Sequence, residues 1–364
     1  MTESLRPVDL RELTQEKLIH FVVQQGQPAF RGKQLLPWLY KPGAPVFSAM
    51  TDLAKDFRSL LERRARISSL EPAQVERSRD GAVKFAFCLE DGRAIESVLI
   101  PEEDRNTLCI SSQVGCAMGC SFCLTGAMGF GRNLSVAEIV NQVCAVRDWM
   151  LAENMPPLTN LVFMGMGEPL ANLERVLDAI SIFTEQRGLD FSNRRITVST
   201  CGLVPQMLRL GEQTDVNLAI SLHAADDRTR SQLMPVNQSY PLAELIDAAR
   251  RYRQKRRKRV MFEYTLLAGI NDSDEDARRL AVLLREVRCK INLLAVNPVA
   301  GNDFHSPAME WVLHFQDILR QQGYTVFIRQ SRGSDISAAC GQLAGKTMSC
   351  HAAAQQPAAH SSHF

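Results

Sequence analysis

Cys116-Ala-Met-Gly-Cys120-Ser-Phe-Cys123 follows the apolar run 107–111 and lies among Gly115, Gly119 and Gly126. Its three thiols, spaced C-x3-C-x2-C, can all turn inward from one tight loop. Structural zinc takes four ligands, commonly as two C-x2-C pairs, and no fourth cysteine stands at ligand spacing here. Three thiolates instead suit a cubane iron–sulfur cluster: each holds one iron, and the fourth iron stays open to a substrate or cofactor. The competing explanation is three cysteines packed in a core. It is disfavoured because a glycine-flanked loop is a poor place to bury thiols.

Outward from this loop, apolar strand-like runs alternate with helical periodicity. Strands are expected at 107–111, 160–164, 195–199, 217–222, 260–266, 290–295 and 325–328. Helices are expected at 135–152, 173–187, 240–256, 273–286 and 307–322, with shorter ones near Val204 and Arg228. This βαβα order predicts an α/β fold whose parallel sheet is covered by helices, six units making a partial barrel. Such architectures place function at the carboxyl ends of the strands. There the chain carries Gly165-Met-Gly167-Glu168-Pro169, Ser199, Ser221-Leu-His223 and Asn297. Glycines allow close approach of backbone to a ligand, and Glu168 can accept from an ammonium group. Taken singly, each of these is more often a turn residue, a cap or a satisfied core histidine. Their recurrence along one rim points to a cofactor site.

Ahead of the barrel, residues 10–25, 30–40 and 50–66 read as helices, the last two separated by Pro42, Gly43 and Pro45. Arginines and lysines interleave there with Phe30, Trp38, Tyr40 and Phe57. That composition suits a nucleic-acid grip and is equally compatible with an ordinary helical bundle. Runs 83–89 and 94–100 alternate and flank Asp91-Gly92, the signature of a hairpin. The expected organisation is an N-terminal helical accessory domain at 1–72, a β-hairpin linker at 73–104, a barrel with a C-terminal cysteine segment at 105–345, and a disordered tail at 346–364.

A 364-residue chain with 45% hydrophobic and 23% charged residues has an ordinary globular composition. No run is long and apolar enough to span a bilayer, and residues 1–6 lack the apolar core of a signal peptide. A cytoplasmic protein without membrane contact is therefore expected. In that setting ten cysteines argue for thiol or metal chemistry and against a disulfide scaffold. The net charge of +2 says little, but eight of the ten residues 250–259 are cationic. This run could neutralise phosphates, as RNA would require, or simply close a solvated helix end.

The C-x3-C-x2-C spacing is the one used by radical S-adenosylmethionine enzymes. From 96 to 345 the chain resembles the RlmN/Cfr family of radical S-adenosylmethionine RNA methyltransferases. The matching segments are Ser111-Ser-Gln-Val-Gly-Cys116, Gly129-Phe-Gly-Arg-Asn-Leu134, Met164-Gly-Met-Gly-Glu-Pro169, Ser221-Leu-His-Ala224 and Ala338-Ala-Cys-Gly-Gln-Leu-Ala-Gly345. Less tightly, the helices with Phe30-Arg-Gly-Lys-Gln34 resemble that family's accessory RNA-binding domain.

The resemblance implies a partial (β/α)6 radical S-adenosylmethionine barrel. Cys116, Cys120 and Cys123 would hold a [4Fe–4S] cluster. Gly167, Glu168, Ser199, Ser221, Leu222, His223 and Asn297 would line the S-adenosylmethionine site, two molecules of which serve each turnover. Cys340 would be methylated on sulfur, Cys109 would be its partner thiol in a transient disulfide, and Glu96 would act as general acid/base. The implied reaction places a methyl group on C2 of an adenine in 23S ribosomal RNA, with transfer RNA as a further possible substrate. A flavodoxin-type or other low-potential donor would supply electrons to a monomeric enzyme.

Two alternatives stay open on sequence: methylation at adenine C8 by the same machinery, and a noncatalytic RNA-binding protein that keeps the cluster as a structural element. Cys88, Cys144, Cys201 and Cys289 read as core fillers. Cys350, His351, His360 and His363 lie too far apart in a low-complexity tail to make a persuasive metal site.

Overall fold

The computed structural model describes residues 7–43, 46–256, 259–297 and 303–344. In the N-terminal region α1 (Gln15–Gln24), α2 (Phe30–Leu39) and α3 (Lys55–Arg64) form within the expected spans, but α1 and α3 each start five residues later than expected: Leu10–Glu12 is a separate 3-10 turn, the Thr14 side chain caps α1, and Ala65–Arg66 is extended. A ten-stranded sheet follows, and every strand in it lies beside its neighbour in the chain. Its members are β1 (Pro72–Arg77), β2 (Val83–Cys88), β3 (Ala94–Glu102), β4 (Arg105–Cys109), β5 (Asn160–Phe163), β6 (Ile196–Thr200), β7 (Asn217–Ser221), β8 (Val260–Leu266), β9 (Cys289–Ala295) and β10 (Val326–Arg329). The first four pair antiparallel, and β4 through β10 pair parallel.

Helices carry the chain across each parallel step: α4 (Val136–Ala152), α5 (Leu173–Phe183), α6 (Val204–Gln213), α7 (Asp227–Leu233), α8 (Leu242–Arg256), α9 (Asp274–Leu283) and α10 (Met309–Gln321). Strand alternation shows why these sequences settle as they do. Along β8, Phe262, Tyr264 and Leu266 bury fully, and the Tyr264 ring packs at 5.6 Å on Phe315 of α10. Between them Glu263 and Thr265 face the barrel cavity. Each large apolar side chain buried in this way contributes about 1.5–3 kcal/mol.

Helix α4 starts at a capping box, Ser135 with Glu138, and Arg132 forks onto Glu138 at 2.7 and 2.8 Å while also reaching Asp91 in the β2–β3 turn.

The N-terminal helices share one hydrophobic core with the barrel. Buried Arg11 fastens the contact, donating to the carbonyl of Leu39 at 2.8 Å, that of Ser68 at 3.0 Å and Oδ1 of Asn141 in α4 at 2.8 Å. Glu12 accepts from the Val136 N–H at the start of α4. The hairpin expected as a linker at 73–104 proves continuous with the parallel strands, because β3 hydrogen-bonds directly to β4.

In the basic run, Arg250 pairs with Asp247 and Glu286, and Arg251 pairs with Asp247. The side chains at 253–258 and the tail 346–364, with Cys350, His351, His360 and His363, lie outside the described residues. Among the described residues no helix is long and apolar enough to cross a membrane.

Candidate active site

The three-cysteine loop leaves the sheet after β4 and is pinched at its base by a short antiparallel ribbon, Gln113–Gly115 against Phe130–Asn133. The Cys116 N–H donates to the Gly129 carbonyl at 2.9 Å. Gly115 has φ +72, and a Cβ there would lie 2.0 Å from that carbonyl oxygen, so only glycine closes the loop. Cys116, Cys120 and Cys123 all line one cavity of about 180 Å³ over the carboxyl ends of the strands.

Among the described residues no three His, Cys, Asp or Glu side chains converge on a single ion. A cubane does not need that convergence, since each thiolate bonds its own iron. Burial pushes the Cys116 thiol up to about 11 and raises Cys120 further, with neighbouring thiols adding to both. Thiols so disfavoured as anions become ligands when a cationic metal group enters with them. The donor set therefore fits the cluster.

Opposite the loop, Gly167 has φ +98, and a Cβ there would meet the Gln113 side chain at 2.4 Å. Glu168 is buried, with Oε1 accepting from the Leu170 N–H at 3.0 Å and Oε2 from the Cys201 N–H at 2.8 Å. Burial pushes its carboxyl up against the pull of those donors. Ser199 and Ser221 face the cavity from the ends of β6 and β7. His223, just beyond β7, holds a left-handed backbone at φ +57. Its Nδ1 accepts the Thr265 N–H at 2.9 Å, and its ring meets Phe122 edge-on at 4.8 Å. Burial, reinforced by Arg230, holds the imidazole down to about 3, so it is neutral and keeps its proton on Nε2. Fully buried Arg230 ties the strand ends together, donating to the carbonyls of Cys201, Ser221 and Leu222.

Cys340 is exposed on the same cavity wall. The arc that carries it is fastened to the cluster loop: the Leu124 N–H donates to the Gly341 carbonyl at 2.8 Å, and Thr125 Oγ1 to the Leu343 carbonyl at 2.6 Å. Asn297 Nδ2 donates to the carbonyl of Cys340 itself at 3.1 Å.

Three expected site residues stand off the wall. Leu222 is fully buried, its carbonyl accepting from Arg230 and its N–H donating to the Glu263 carbonyl. Cys109, at the end of β4, is buried; burial pushes its thiol up to about 12, nearby Cys340 adds to this, and Arg329 opposes it. Glu96 is buried in β3, with Oε2 accepting the Ala344 N–H at 3.0 Å. The structure thus gathers Cys116, Cys120, Cys123, Gly167, Glu168, Ser199, Ser221, His223, Asn297 and Cys340 around one space.

Three wall residues escaped the sequence. Cys201, read as a core filler, is buried but lines the cavity and supplies the N–H that holds Glu168. Glu263 accepts from Asn292 through Oε1, while its buried Oε2 has no hydrogen-bond partner among the described residues. Arg329 reaches the wall from β10, held protonated by Cys340, Glu263, Cys109 and Glu102 against its burial. A carboxylate in the midst of the apolar run 260–266 was the available signal for Glu263.

A parallel partial barrel whose three-cysteine loop overhangs the strand ends defines a radical S-adenosylmethionine enzyme. The family model described as the Radical SAM superfamily matches residues 110–281, and that of the Ribosomal RNA large subunit methyltransferase N-terminal domain matches 8–67. The dual-specificity RNA methyltransferase RlmN of Desulfotalea psychrophila is 58% identical, over 94% of this chain and 97% of its own. The protein of the same description from Geobacter sulfurreducens is 53% identical, over 93% and 92%. A crystal structure of a radical SAM methyltransferase from Sphaerobacter thermophilus superposes with a TM-score of 0.88 at 45% identity, covering 93% of this chain and all of that one. The chain belongs to the RlmN family of radical S-adenosylmethionine methyltransferases. Its cofactors are accordingly a [4Fe–4S] cluster and S-adenosylmethionine.

Proposed function

We propose that this enzyme methylates C2 of an adenine in 23S ribosomal RNA, and an adenine of transfer RNA as a second substrate, through a carbon carried on Cys340. The fastening of the Cys340 arc to the cluster loop is the observation that carries the proposal, since it sets the carrier sulfur on the wall that holds the three thiols. Cys116, Cys120 and Cys123 hold the cluster, and the rim from Gly167 to Asn297 holds S-adenosylmethionine. Bound there, the two supply a methyl group and a radical able to abstract hydrogen from it.

The remaining work falls on the chain. Cys340, as a thiolate, accepts the methyl group by displacement. Once a hydrogen atom has been taken from that methyl, the sulfur-bound methylene joins the electron-poor adenine carbon, linking protein to RNA. The adduct still carries one unpaired electron; as Glu96 removes the ring proton, that electron leaves, and the bound cluster, oxidised by one electron in making the radical, would accept it. Cys109 then attacks the Cys340 sulfur, the carbon–sulfur bond breaks toward the base, and a proton completes the new methyl. A Cys109–Cys340 disulfide is left, and two electrons from a cellular dithiol reopen it.

The N-terminal domain, taken as 1–72, would grip RNA. Phe30 is half exposed with the Arg31 guanidinium over its ring, and Lys41 lies over Trp38. We assign the enzyme to the cytoplasm, as a monomer reduced by a flavodoxin-type donor, on the strength of its cysteine usage and chemistry.

Nucleoside analysis of ribosomal and transfer RNA from cells with and without the gene tests the proposal. Loss of C2-methyladenosine is expected; a C8-methylated product would overturn the regiochemistry. Reduced, cluster-loaded protein that never converts S-adenosylmethionine to deoxyadenosine would establish the noncatalytic alternative.

A further inference from the structure

Lys84, the second residue of β2, has 2% of its surface exposed, although nothing in the proposed chemistry calls for an ammonium group. Its Nζ donates to the Ile336 carbonyl at 2.6 Å and lies 3.0 Å from Glu76 Oε1 and 3.8 Å from Glu96 Oε1. Glu96 in turn accepts from the Ala344 N–H through its other oxygen. Ile336 precedes Cys340 by four residues and Ala344 follows it by four. One buried lysine–glutamate pair therefore grips the cysteine-bearing arc at both ends.

An ammonium and a carboxylate taken out of water are tolerated only when paired and hydrogen-bonded, and removing one partner leaves the other charged and uncompensated. Here Glu76 shares the ammonium with Glu96, and the arc's own backbone supplies the hydrogen bonds that complete the pair, the Ile336 carbonyl to Lys84 and the Ala344 N–H to Glu96. Docking of the arc and placement of Glu96 thus become one event.

The geometry points to Lys84 as a positioning residue that locks Glu96 to the Cys340 arc, so that carrier and base meet the adenine as a single unit. This rests on the proposed roles of Cys340 and Glu96. Lys84 itself does not line the cavity. Its loss leaves the arc's bonds to the cluster loop intact, so methyl transfer to Cys340 should still reach completion. Release of the protein–RNA link, which needs the ring proton removed, should slow.

The test uses the cluster-loaded holoenzyme carrying Lys84→Met. Intact-protein mass should show a full sulfur-linked methyl on Cys340. The covalent RNA link should persist at least about tenfold longer than in the wild type, a modest share of what a well-placed general base supplies. Amide hydrogen exchange at Ala344 should accelerate by a similar factor, about tenfold. Lys84→Arg, which keeps the charge, should recover most of both. If Lys84→Met does not fold, Lys84→Gln, which keeps an N–H donor for Ile336 without the charge, carries the same expectation. Wild-type decay of the link, or unchanged exchange at Ala344, in a folded uncharged variant overturns the inference. A wild-type enzyme that never acquires a methyl on Cys340 would instead sink the proposed function.

Discussion

The arc around Cys340 is held from two sides by clasps of opposite chemistry. On the cluster side the contacts are neutral: Leu124 to Gly341, Thr125 to Leu343 and Asn297 to Cys340, each ending on a carbonyl. On the hairpin side they are charged: Lys84 and Glu96 take Ile336 and Ala344, Asp80 accepts the Gly333 N–H, and Asp335 accepts from Ser78 and Arg79. Neutral bonds to backbone contribute about 1 kcal/mol each and do not titrate. Charged ones respond to pH and to the loss of a single partner. The proposed carrier is thus tethered steadily on the cluster side and conditionally on the hairpin side.

Removing the sulfur breaks the comparison most completely. Cys340→Ala should leave both clasps, the cluster and cofactor binding intact, yet carry no sulfur-linked methyl and methylate no RNA; protein mass and product analysis read both. Cys109→Ala should trap the covalent protein–RNA species after one event, visible as a shifted band on a denaturing gel. Gly167→Ala crowds a Cβ against Gln113 at φ +98 and should cost about 1–3 kcal/mol, with weaker S-adenosylmethionine binding in equilibrium titration.

The neutral clasp is sharpened by Thr125→Val. Loss of its bond to Leu343 should cost about 1 kcal/mol and speed exchange near Leu343 without altering the lifetime of the RNA link. The charged clasp is sharpened by acid. Burial would raise Asp80, but the N–H groups of Ala82 and Gly333 outweigh it and hold the carboxyl below its ordinary 3.8; the Ser78 hydroxyl holds Asp335 low in the same way. Carboxyls depressed by folding stabilise above their ordinary value and lose that contribution as the pH falls through the depressed one. Acidification below about 3.8 should therefore loosen the segment near Gly333 before that near Leu343, as exchange at the two places would show.

What could be read from the chain alone follows from how local each signal is. The run 260–266 alternates in size and polarity, and β8 spans Val260–Leu266 as read. The cysteine spacing and the Gly165–Pro169 turn are short motifs that keep their meaning without tertiary context. Lys84 shows the opposite case, because nothing within a window of sequence explains a buried cation whose carbonyl partner lies 252 residues away. Arg329 and Cys201 were hidden for the same reason, their surroundings being assembled from separate strand ends, whereas Glu263 left a local trace as a carboxylate within an apolar run. The hairpin's continuity with the barrel depends on pairing between β3 and β4, which a turn at Asp91-Gly92 does not reveal.

The strictly sequential sheet has a consequence for how the enzyme comes into being. Each strand can add to the one made just before it, so the barrel grows in one direction as synthesis proceeds. The cysteine loop is complete early, whereas the arc with Cys340 arrives last and must return to β2 and β3, across 252 and 248 residues, to find Lys84 and Glu96. The cysteine loop of a nascent chain is thus in place well before the proposed carrier, and the site is complete only when the arc that follows the last strand has folded back onto β2 and β3.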